Sequence, residues 1–151
     1  MKMMQRFLGI VGIGLLVLFS VSPNAFAESP NDNDIVVFVN KGASVKTVTV
    51  AELRQLFLKQ KTSWTSGGSV VCINAPRGTA LRDQFRKQVL AMSAAEESTH
   101  WETARIRSQV SPPAEMLNTP KAVFRIKNAL SYAFRKDVPK DVVKIVLEIS
   151  K

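Results

Sequence analysis

The chain has 151 residues, 46% of them hydrophobic, with 21 Lys and Arg against 12 Asp and Glu and a formal charge of +9. One cysteine excludes an internal disulfide, and one histidine without a cysteine cluster excludes the usual zinc ligand sets. The positive balance suits solubility and attraction to acidic polymers; without an aromatic-rich basic stripe it gives no reason to expect nucleic acid as a partner.

The first residues read as an address. Lys2 and Arg6 precede an uncharged run from Phe7 to Val21, and Ala25-Phe26-Ala27 fits the small-x-small cleavage rule. The run is shorter than the roughly 20 apolar residues a membrane span needs. Residues 1–27 are therefore predicted to be a secretory signal peptide. Cleavage after Ala27 would leave residues 28–151 with a net charge of about +7. The expected location is periplasmic, peripheral to a membrane at most. Residues 28–34, polar and carrying Pro30 and two Asn, read as a flexible leader.

From residue 35 to 151 one domain is expected. Ile35 to Val39 is continuously apolar and β-branched, the pattern of a strand buried on both faces. Thr49-Val50-Ala51-Glu52 fits a capping box, followed by Leu53, Leu56 and Phe57 at helical spacing. Thr62 to Ser69 is a loop turning at Gly67-Gly68, with Trp64 expected to pack over the sheet edge. Val70 to Ile73 is a second strand, in which Cys72 is predicted to be a buried, inert thiol.

Ala80 to Met92 is predicted helical, with Leu81, Phe85, Val89 and Met92 on one face. Ser93 to Glu96 is a further capping box, opening a helix to about Ile106 that carries His100 and Trp101. Ser111-Pro112-Pro113 is loop, and Thr119-Pro120 starts another helix. Leu130 to Phe134, with Tyr132 as a core side chain, and Val142 to Ile149 complete the strands. Alternating strands and helices predict an α/β fold: a single three-layer domain with a mainly parallel sheet flanked by helices.

The segment with most chemical content is Arg77-Gly78-Thr79-Ala80-Leu81-Arg82. A strand feeding a small-residue turn and a helix start offers unpaired N–H groups and the positive end of a macrodipole, with Arg77 and Arg82 alongside. That is an anion-binding arrangement. The same residues equally describe a structural turn with a helix cap at Thr79. Elsewhere, Cys72 and His100 make no convincing nucleophilic pair, Glu96 serves most simply as a cap, and no metal or other cofactor is implied. Lys121, Arg125 and Lys127 form a cationic helix with room for an acidic partner.

I-V-V-F-V-N at 35–40, followed by T-V-A-E-L-R-Q-L-F-L-K-Q-K-T-S-W at 49–64, resembles the second-lobe opening of the periplasmic phosphate-binding proteins of ABC transporters. Arg77-Gly78-Thr79 falls where that family has Ser-Gly-Thr at a helix start, and Leu130-Ser131-Tyr132 where it has Ile-Gly-Tyr. The resemblance implies a fold like one lobe of a type II periplasmic binding protein, in a single-lobe relative. Ile73 and Ala75 stand where the family has an Arg and an Asp that contact phosphate. Arg77 replaces the Ser, and Lys59-Gln60 the helix-ending Gly. Thr79 and the amides near Gly78 carry over.

The expected function is therefore non-enzymatic: an exported solute-binding module holding phosphate or a similar oxyanion weakly, linked to phosphate transport. A protein partner would supply a second lobe. The alternative is an envelope interaction or sensor protein that kept the fold and lost the ligand.

Overall fold

The computed structural model describes residues 31–150. The predicted signal peptide and the start of the leader lie outside the described residues. Residues 31–34 form a turn in which Asp34 accepts from the Asn31 N–H at 2.9 Å and donates its own N–H to the Asn31 carbonyl.

Five strands and four α-helices follow in chain order: β1 (Ile35–Asn40), α1 (Val50–Phe57), β2 (Val71–Asn74), α2 (Ala80–Phe85), α3 (Ala94–Ser108), β3 (Ala114–Glu115), α4 (Thr119–Arg125), β4 (Ala129–Phe134) and β5 (Val143–Ile149). They form one sheet ordered β3-β2-β4-β1-β5. β2 pairs in parallel with β3 and β4, while β1 pairs antiparallel with both β4 and β5. The sheet is therefore mixed where a mainly parallel one was expected: β2, β3, β4 and β5 share one direction, but β1 runs against them in the interior and both of its long pairings are antiparallel.

The continuous apolar run of β1 has its reason in the layers. Ile35, Val37 and Val39 join a core with α1, Phe85, Trp101 and Tyr132, whereas Val36 and Phe38 join a second core with Ala122, Val123 and Val138. Alternation in a strand sends neighbours to opposite faces, so covering both faces makes every β1 side chain apolar. Trp64 is buried in the first core.

The helix expected from Ala80 to Met92 departs from its α-helical period. α2 stops at Phe85, and Arg86–Leu90 continues as a π-helical turn ending at Ala91, whose φ is 53°. Phe85, Val89 and Leu90 are all buried, and the wider turn narrows the arc over which they point inward. Leu81 and Met92 pack at the core's margin. β3, too short for any periodicity, is an element the sequence does not announce.

Candidate functional site

β2 ends at Asn74, and the chain turns through Pro76, Arg77 and Gly78 before α2 begins at Ala80. Gly78 has a φ of 78°, and a Cβ placed on it would meet nothing within 4 Å. Glycine is therefore needed here for its left-handed backbone rather than for space. Thr79 caps the helix: its hydroxyl accepts from the Arg82 N–H at 3.2 Å and donates to the Pro76 carbonyl at 2.8 Å.

The turn is tied to the core through Tyr132. Its hydroxyl donates to Asn74 Oδ1 at 3.2 Å and accepts from the Ala75 N–H at 3.3 Å. The ring stacks on Phe85 with centroids 3.6 Å apart and meets Phe57 edge-on. Burial pushes the Tyr132 hydroxyl up to about 12, although the charge of Arg82 pulls the other way. Beside it the Ser131 hydroxyl donates to the Ile73 carbonyl at 2.8 Å. These contacts fix the carboxyl end of β2, where ligands of open α/β sheets bind.

Arg77 and Arg82 have different surroundings. The Arg77 side chain is 68% exposed, and Glu115 of β3 accepts from both its Nε (2.8 Å) and its backbone N–H (3.2 Å). One oxyanion therefore already sits on the turn, and it belongs to the chain itself. Arg82 is buried and pairs through Nη2 with Glu97 of α3, while its Nε and Nη1 have no partner. Glu97 also faces Trp101 Nε1 at 3.5 Å.

A cleft of about 540 Å³ opens between α2 and α3, with Arg77, Gly78 and Arg82 in its wall. Thr79, Ala80 and Leu81 are not in that wall; they supply the cap and the first helical turn, whose N–H groups have no intrahelical acceptor. The residues that sequence reasoning missed are Arg86, Glu97, Trp101 and Arg105, which also line the cleft. Only their helical spacing was visible beforehand; that α3 folds back over α2 was not. Arg86 is held by Asp83 at 2.9 Å. Three arginines at the site thus have carboxylate partners, which limits its attraction for an outside anion.

The remaining candidates have plain surroundings. Cys72 is buried, and burial pushes its thiol up to about 12. A ring nitrogen of His100 lies 3.2 Å from the Leu58 carbonyl oxygen. Glu96 completes the capping box with Ser93, and hydrogen bonds from the Ser93 backbone and hydroxyl hold its carboxyl below the ordinary value. Ile73 and Ala75 are buried and apolar. Among the described residues no group of three His, Cys, Asp or Glu could hold a metal, and no helix is long and apolar enough to cross a membrane.

No protein-family model and no curated protein matches the chain in sequence. Solved structures do match it in fold. A phosphate ABC transporter substrate-binding protein from Clostridium perfringens, solved with bound phosphate, superposes with a TM-score of 0.58 at 21% identity, over 75% of this chain and 44% of that one. An ABC-type phosphate transport receptor from Vibrio cholerae gives 0.58 at 18% identity, over 75% and 45%. PstS from Borrelia burgdorferi gives 0.55 at 10% identity, over 75% and 46%. The chain spans a little under half the length of these proteins, and at such identities the likeness is one of fold: an α/β domain with the architecture of a single binding-protein lobe.

Proposed function

We propose that the chain is a non-enzymatic solute-binding module that holds phosphate or a similar oxyanion weakly at the turn from Arg77 to Arg82, as half of a cleft. The observation that carries this reading is Arg82: a buried guanidinium in the cleft wall, whose Nε and Nη1 make no hydrogen bond, one helical turn from the Gly78 turn. A buried donor without an acceptor costs about 1–3 kcal/mol; both nitrogens are closed to solvent, so an oxyanion recovers that cost when the Arg82 side chain turns out toward the cleft. The solved neighbours are phosphate-binding components of transporters, and one of them holds phosphate. An exported, periplasmic chain working with a phosphate transporter, its second lobe supplied by another subunit, fits that likeness. With Glu115 and Glu97 on the arginines, an affinity near millimolar is expected, equivalent to about 4 kcal/mol.

Those same carboxylates favour a second reading, in which the fold persists as an envelope interaction or sensor module and the chain's own acids have taken the ligand's place. One experiment separates the two. The melting temperature of residues 28–151 is followed against phosphate, sulfate, molybdate and chloride at matched ionic strength, in the wild type and in Glu115→Gln. Oxyanion binding predicts a phosphate-dependent rise that grows in Glu115→Gln, where Arg77 is released, and shrinks in Arg77→Ala. No anion effect beyond chloride in either protein would leave the interaction module.

A further inference from the structure

The face of α4 that turns away from the sheet sets the apolar Phe124 among cations, with the exposed Leu117 just before the helix. α4 buries Thr119, Ala122 and Val123 and exposes Lys121, Phe124 and Arg125. At 100° per residue, those three exposed positions share an arc of about 100°, and Leu117 lies in the segment that leads into the N-cap Asn118. Leu117 is 94% exposed and Phe124 58%. From Met116 to Lys127 the chain has Lys121, Arg125 and Lys127 and no carboxylate. None of the three cations joins an ion pair among the described residues, and the adjacent Glu115 is engaged by Arg77.

We propose that this face docks on an anionic lipid surface. Phe124 and Leu117 enter the boundary between headgroups and acyl chains, while Lys121, Arg125 and Lys127 meet lipid phosphates. The charge of the face and the net charge of about +7 on residues 28–151 are complementary to such a surface. Lys121 and Arg125 line a groove of about 400 Å³ with Met116 and Ile126, a space with cationic sides and an apolar floor that suits a lipid headgroup. Projecting apolar tips favour a fluid layer that yields around them; an acidic polypeptide would have to present matching pockets. The proposal is independent of the cleft between α2 and α3.

Co-sedimentation of residues 28–151 with vesicles of phosphatidylglycerol or of phosphatidylcholine tests it. Among the described residues the two cores are built from residues 35–149, all of which this form retains. The expected result is binding to phosphatidylglycerol, weakened by salt, with little binding to phosphatidylcholine. Each cation near the surface raises partitioning by roughly fivefold, so Lys121→Gln with Arg125→Gln lowers it by roughly 25-fold. Phe124→Ser with Leu117→Ser lowers it several-fold at unchanged charge. All four positions are exposed, so the variants keep their melting temperature. Equal binding to both vesicles, or no effect of the charge variant, overturns the proposal. So does displacement from the vesicles by polyglutamate with no dependence on Phe124, which would point to an acidic polypeptide as the occupant.

Discussion

Arg82 and Glu97 join α2 to α3 through an ion pair whose side chains are only 3% and 12% exposed. α3 buries just two of its fifteen residues, Glu97 and Trp101, so this pair is a large part of what docks the helix. Removing one partner of a buried pair leaves the other charge uncompensated, at about 3–5 kcal/mol. Glu97→Ala should therefore lower the stability measured in urea by about 3 kcal/mol. Amide exchange should show α3 losing protection ahead of the sheet. Arg82→Met combined with Glu97→Leu, which removes both charges, should recover most of the loss.

Tyr132→Phe keeps the ring stacked on Phe85 and removes only the hydroxyl. Asn74 Oδ1 and the Ala75 N–H then lose a buried partner. A loss of about 1–3 kcal/mol is expected. Because these groups end β2, amide exchange at residues 74–79 should rise more than elsewhere. Tyr132→Ala would add a cavity and cost about 3–5 kcal/mol, as large core truncations do.

Stability should fall in acid partly through Glu52. The Thr65 hydroxyl is its main stabilising partner, at 2.6 Å, with the Thr65 N–H and the Lys61 ammonium adding to it; together they hold the carboxyl below its ordinary value of 4.5. A depressed folded-state pKa contributes stability that is present in full above 4.5 and is lost as pH falls through the lower folded value. Thr65→Val removes the strongest of these bonds. Urea unfolding at pH 7 and pH 3 should show a smaller difference in the variant than in the wild type.

Cys72 offers a direct readout of opening. Burial raises its pKa from 9.0 to about 12, so the folded protein holds a neutral, shielded thiol. Its contribution to stability is complete below pH 9 and is lost as pH rises toward 12. At pH 8 a disulfide reagent should label the native chain far more slowly than the chain in urea. Glu97→Ala should speed labelling by about tenfold for each 1.4 kcal/mol of stability lost.

Much of the fold was legible because the signals are local. The apolar run at 35–39, the caps at Thr49, Thr79 and Ser93, and the buried Tyr132 all depend on near neighbours or on strand periodicity. The π-helical turn at Arg86–Leu90 was not legible, since the apolar spacing of Phe85, Val89 and Leu90 fits an α-helix as well. Nor were the carboxylates on Arg77 and Arg82. Glu115 and Glu97 reach the turn only through the positions of β3 and α3, and nothing in their sequence spacing shows it.

The place of β1 in the sheet has a consequence for how the chain is made. Its partner on one side is β4, and on the other β5, about a hundred residues later in the chain. Until Val143–Ile149 arrives, Ile35 to Asn40 keeps an open edge of apolar residues beside β4, the situation in which strand edges recruit other chains. Contacts between segments about a hundred residues apart also form slowly. A nascent chain that has not yet reached β5, or one cut before it, should therefore aggregate through its most apolar strand, and protection from that fate waits for Val143–Ile149.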